Sequence, residues 1–81
     1  MTIYYYTFRS MTAAMNGASK LRKHGMGTMP VRTPEHLRKR GCGYCIAIPD
    51  DRFHRISDIL HPGEYEKLYR YGDGEWRELK G

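Results

Sequence analysis

Two cysteines stand three positions apart in Cys42-Gly43-Tyr44-Cys45, and the chain has no others. Thiols at this spacing can close a disulfide, carry a persulfide or supply half of a zinc site, and all three roles need ionised sulfur. The run Arg38-Lys39-Arg40 immediately before them brings positive charge that favours a thiolate, and Arg32 can add to it. Gly43 removes side-chain bulk next to Cys42, so a partner sulfur can approach closely. Cys42 is therefore the candidate carrier thiol, with Gly43, Arg40, Lys39 and Arg32 in support. Cys45 is the candidate resolving thiol: by attacking a Cys42 persulfide or mixed disulfide it would release the cargo and leave an intramolecular disulfide.

Geometry sets a condition on that pairing. If a strand is already regular at Cys42, alternation sends the two cysteines to opposite faces and their sulfurs cannot bond. A turn at Gly43-Tyr44 would bring them together. A single-thiol role for Cys42, with Cys45 half-buried and inert on its strand, is equally open.

Other chemistry finds less support. Four histidines, His24, His36, His54 and His61, are available to complete a zinc site, but none is paired at a spacing typical of zinc modules. We therefore expect no resident metal. No phosphate-binding glycine loop and no paired carboxylates in a plausible site suggest a cofactor. His36 would activate Cys42 if the fold brought the two together.

Eighty-one residues make one domain, 1–81, with little room for an enclosed substrate cavity, so a carrier or binding module fits better than a self-contained enzyme. A 40% hydrophobic content and seven tyrosines argue for a folded chain. The apolar stretches are far too short to span a membrane, and the first residues lack the pattern of a signal peptide, so the cytoplasm is the expected compartment. Thiols there stay mostly reduced, which favours a reactive pair over a structural staple. The net charge of +5 is uneven: Lys20, Arg22, Lys23, His24, Arg32 and the 38–40 run are basic, while acidic residues lie mostly beyond 49. The basic end is the cysteine end, which suits anionic substrates or acidic partners.

Ile3 to Phe8 is an aromatic and β-branched run and reads as a strand. Ser10 caps a helix with Met11, Ala14, Met15, Ala18 and Leu21 at helical spacing, ending at Gly25. Thr28 to Arg32 reads as a second strand, and Thr33 as the cap of a short helix with Pro34 at its first position and Gly41 at its close. Tyr44 to Ile48 is a third strand. Asp50 or Asp51 then caps a helix with Phe53, Ile56, Ile59 and Leu60 on one face, stopped by Pro62-Gly63. A terminal hairpin within 66–79 turns at Gly72-Asp73-Gly74. The order predicts an α+β, ferredoxin-like two-layer sandwich with its helices on one sheet face. The sheet face opposite the helices would display Tyr4 and Tyr6, or Tyr5, according to register. Such rings can stack RNA bases, but no RNA-recognition signature is present and nucleic acid is an unlikely partner. Self-association through that face, giving a homodimer, suits an aromatic surface better.

The aromatic strand ending in Thr7-Phe8-Arg9-Ser10, the Ala-rich helix, Met29-Pro30-Val31-Arg32 and the Cys42-Gly43 step into an apolar strand resemble the selenium/sulfur carrier-like family over about residues 3 to 50. That resemblance implies a small domain handling sulfur or selenium, supplied by a donor such as a cysteine desulfurase and passed to an acceptor protein. It carries over to Cys42 and Gly43. Together with the chemistry above, it implies a persulfide or selenopersulfide held on Cys42.

Overall fold

The computed structural model of the chain describes residues 1–37 and 43–79. Its elements run β1 (Ile3–Thr7), α1 (Met11–Lys23), β2 (Val31–Arg32), a 3-10 turn (Glu35–Leu37), β3 (Tyr44–Pro49), α2 (Asp50–Ile59), β4 (Lys67–Gly72) and β5 (Glu75–Leu79). The five strands form one sheet in the order β2-β3-β1-β4-β5, antiparallel throughout. Two crossovers interleave: β1-α1-β2 steps over β3, and β3-α2-β4 steps over β1. The fold is α+β, and both helices pack on the same side of the sheet, against β3 and each other.

Alternation along β1 explains the core. Tyr4 and Tyr6 turn towards the helices, where they pair in register with Ile48 and Ile46 of β3, and Phe8 continues the row beyond the strand. Ala14, Ala18 and Leu21 of α1, with Ile56 and Leu60 at α2, close over them. Tyr4 stacks on Phe53 at 3.7 Å between ring centroids, and Tyr6 meets Tyr65 edge-on at 4.8 Å. The second of these is the T-shaped arrangement that aromatic quadrupoles favour, while the first buries two ring faces against each other within the apolar layer.

The helix α1 begins as the sequence predicts, with Ser10 Oγ accepting the Ala13 N–H at 3.1 Å. It ends in a Schellman motif: Met26 N–H donates to Leu21 O, and Gly25 N–H to Arg22 O. Its buried stripe differs from the predicted one. Met11 and Met15 are 42% and 44% exposed, and the contact row is Ala14, Gly17, Ala18 and Leu21. Small residues let the helix lie close on the sheet: a Cβ at Gly17 would come within 3.0 Å of the Phe8 ring. Methionines at those contacts would hold the helix off, so they flank it.

Three local expectations are corrected. The predicted strand from Thr28 pairs at Val31 and Arg32 alone among its residues. Neither Asp50 nor Asp51 caps α2: both lie in its first turn, where their charge suits the helix dipole, and Pro49 holds the cap position with no side-chain bond. Thr33 does not cap a helix either, because its buried Oγ1 has no hydrogen-bond partner and the following segment is one 3-10 turn, closed by Leu37 N–H to Pro34 O at 2.9 Å. The expected helix end at Gly41 lies outside the described residues. The terminal hairpin turns through Asp73 (φ 53°) and Gly74 (φ 75°), the two left-handed residues of a type I′ turn.

Candidate functional site

Cys45 sits on β3 between Thr7 of β1 and Val31 of β2, its register partners. Its neighbour Ile46 faces the helices, so alternation turns Cys45 to the opposite, helix-free face. A residue on an uncovered sheet face should be partly solvated, yet Cys45 is 0% exposed.

Residues 33–37, after β2, lie on this same face. Thr33 N–H donates to Gly43 O at 2.8 Å, extending the β2-β3 ladder by one pair. The 3-10 turn then folds back over the sheet, and the His36 ring stacks on Trp76 of β5 with centroids 5.2 Å apart and planes 13° from parallel. Trp76 in turn packs against Tyr71 at 4.6 Å and Tyr5 at 5.3 Å. Residues 33–37 therefore form a strap across the helix-free face, anchored on an aromatic cluster near the far edge.

Polar groups line the floor beneath. Thr7 Oγ1 donates to Lys67 O at 3.3 Å and accepts the Lys67 N–H at 3.2 Å. Burial raises the Tyr5 phenol pKa, and the nearby Cys45 and Tyr71 push it the same way. Tyr5 thus stays neutral near neutral pH, and the charges that register puts on this face, Lys67 and Glu78, pair with each other at 3.7 Å. Thr33, 4% exposed, adds a hydroxyl with no partner.

The predicted site residues are only partly brought together. Gly43 is half-buried at the start of β3, joined by backbone to the strap. Cys45 is fully buried where a half-buried position was expected. Arg32 pairs with Tyr44 and so belongs to the helix-side face, opposite Cys45. Cys42, Arg40 and Lys39 lie outside the described residues, as does any pairing of His36 with Cys42. Among the described residues no group of three or more His, Cys, Asp and Glu side chains could hold a metal ion. Tyr4 and Tyr6 lie under the helices, which leaves Tyr5 as the β1 tyrosine of the other face. Sequence reasoning missed Thr7, Thr33 and the His36-Trp76 stack. The odd-numbered positions of β1, read as a separate face, would have found Thr7.

A family model described as "Putative Se/S carrier protein-like" matches residues 3–70. The chain belongs to this family. The match runs from the start of β1 into β4, so the family domain takes in both helices, the strap and the Cys-x-x-Cys segment, while β5 lies beyond it. The name suggests a carrier of selenium or sulfur. No curated protein and no solved structure matches the chain. Among the described residues no helix is long and apolar enough to cross a membrane.

Proposed function

We propose that the domain carries sulfur or selenium as a persulfide or selenopersulfide on Cys42, with Cys45 as resolving thiol. The observation that carries this reading is the complete burial of Cys45 three residues from Cys42. A bulky protein donor has no route to a thiol with no exposed surface, which leaves Cys42 as the sulfur that meets partners. Basic residues at 38–40 lower the cost of its thiolate.

Loading is a thiol exchange. The Cys42 thiolate attacks the outer sulfur of a donor persulfide, such as that of a cysteine desulfurase; one S–S bond forms, the donor's breaks, and the donor cysteine leaves as thiolate. Release inverts the roles. The Cys45 thiolate attacks Cys42 Sγ, a Cys42-Cys45 disulfide forms, and the outer sulfur departs as hydrosulfide with the electron pair of the broken bond. A cellular thiol reductant then restores the dithiol. Handover of the outer atom to an acceptor thiolate needs no disulfide and leaves Cys45 unused.

Intact mass spectrometry separates these routes after incubation with a cysteine desulfurase and cysteine. Wild type gains the mass of one sulfur atom and Cys42→Ser does not. Cys45→Ser gains it and, if Cys45 resolves, holds it longer. A protein that isolates with zinc, or that oxidises to a disulfide and never accepts sulfur, would overturn the carrier reading.

A further inference from the structure

We propose that the flank of α1 next to the segment leading into β2 is a docking surface for an acidic amphipathic helix of a partner protein, gripped by Met11, Met15 and Met29 and steered by Arg22 and Lys23. Naming that partner as the protein that exchanges sulfur with this chain rests on the carrier reading; the docking itself does not.

Large apolar side chains left in water gather in one part of the molecule. Among the described residues, and apart from Met1, they are Met11, Met15, Met29 and Val31. Met11 and Met15 stand one turn apart on α1, and Arg22 lies two turns further along the same line. Arg22 carries that line off the helix, because its guanidinium donates to Thr28 O and to Met29 Sδ, both at 3.5 Å. Met29 is 60% exposed, and Val31 opens β2 two residues on. Single exposed apolar residues are ordinary, but a contiguous row of them marks a contact surface. Methionine suits that use, since its unbranched, polarisable side chain adapts to the groups laid against it.

The other flank of α1 is closed by the chain itself. Ala13 packs against the core there, and Lys20 binds Glu64 of the connection before β4. Charge separates the two flanks as well. Residues 1–34 contain Arg9, Lys20, Arg22, Lys23 and Arg32 and no Asp or Glu. Glu64 neutralises Lys20, whereas among the described residues neither Arg22 nor Lys23 makes an ion pair. A partner seated on the methionines therefore meets positive charge at the end of the row, and carboxylates placed there would speed encounter and select the partner. The row from position 11 to position 22 is about 16 Å long, the reach of about three turns of a facing helix with apolar anchors at i, i+4 and i+7. Nucleic acid fits this flank less well, because the row has no aromatic ring on which a base could stack. A membrane surface would call for Trp, Phe or Leu where these methionines stand.

The test follows the full-length protein, labelled at its methionine methyl groups, by proton-carbon NMR. The probe is a blocked helical peptide with leucines at i, i+4 and i+7 and glutamates beside them; the same peptide with lysines for glutamates is its control. We expect the acidic peptide to shift the Met11, Met15 and Met29 methyl signals saturably and to leave the buried Met26 signal in place, while the lysine peptide shifts none. Arg22→Glu with Lys23→Glu should weaken binding about tenfold, and added salt should weaken it in wild type. Met15→Gln, a change at an exposed position, should weaken it several-fold with the remaining methyl signals unmoved. If the acidic peptide leaves the three signals unchanged, or shifts them no more than the lysine peptide does, the proposal is wrong. Single-stranded RNA and phosphatidylserine vesicles are titrated in parallel, and shifts produced by either of these and not by the acidic peptide would also overturn it. Sulfur uptake from inorganic polysulfide, read by intact mass on the same variants, tests carriage separately: no uptake by wild type would remove the carrier reading and leave the docking result standing.

Discussion

Tyr6 shows what a single buried oxygen does to this protein. Its ring fills the layer between β1 and α2, yet its hydroxyl finds no partner, and burial with the neighbouring Tyr65 and Tyr4 phenols lifts its pKa far above the ordinary tyrosine value of 10.0. Leaving a buried donor unmade costs about 1–3 kcal/mol, so Tyr6→Phe should hold or raise stability by about 1 kcal/mol in urea denaturation. The pH dependence has a definite sign. A raised native pKa means that the stability tied to Tyr6 is complete below about pH 10, where both states hold the proton, and is lost above it as the unfolded chain ionises first. Tyr5 and Tyr65 are shifted in the same direction. Denaturation midpoints measured from pH 9 upward should therefore fall less steeply in Tyr6→Phe than in wild type. An identical slope in the two would remove Tyr6 from the account.

The strap and the strands around it divide what local pattern encodes from what pairing encodes. The Ser10 cap, the Gly25 end of α1 and the Asp73-Gly74 turn were readable because each depends on a few adjacent residues with fixed conformational needs. The α1 stripe was misread at Met11 and Met15 because side-chain hydrophobicity hides how closely a helix approaches its sheet, which Ala14, Gly17 and Ala18 decide. Cys42 was singled out on its own chemistry, and the family match covers that position. The His36-Trp76 stack on the Cys45 face could not be read at all, since it joins residues forty positions apart in the chain, and we expect the burial of Cys45 to depend on it. That dependence can be tested. Aromatic stacks contribute about 0.5–1.5 kcal/mol beyond burial, so His36→Ala should loosen the strap without unfolding the sheet. Cys45, measured in a Cys42→Ser background, should react with N-ethylmaleimide several-fold faster once His36 is removed, and the emission of Trp76, the chain's one tryptophan, should shift. A rate equal to that of the His36-containing protein would show that the cover does not depend on the stack.

Across the molecule, the helix layer is tied to the connection before β4 by an ion pair. Lys20 Nζ reaches both Glu64 oxygens at 2.8 Å, and His61 N–H donates to Glu64 Oε1 at 2.8 Å. The Lys20 hydrogen bond, then that of the His61 amide, hold the Glu64 carboxyl below its usual pKa. With a lowered native pKa, the stabilisation is present above the unfolded value near 4.3 and is lost as pH falls through the native one. Both side chains are more than one-third exposed, so solvent screens most of it. Glu64→Gln should cost less than about 1 kcal/mol at pH 7 and low salt, and the difference from wild type should shrink in high salt and towards acid pH. A cost that is unaffected by salt would argue for packing instead of charge.

The position of β1 in the sheet carries a consequence for how the chain comes to be folded. Both its neighbours are made well after it: Ile3 pairs with Pro49 on one side and Tyr71 on the other. Until β3 is made, the run Ile-Tyr-Tyr-Tyr has two unpaired edges. Pairings so distant in sequence close slowly. The nascent domain therefore passes through a stage in which this strand waits unpaired, and conditions that slow translation lengthen that exposure.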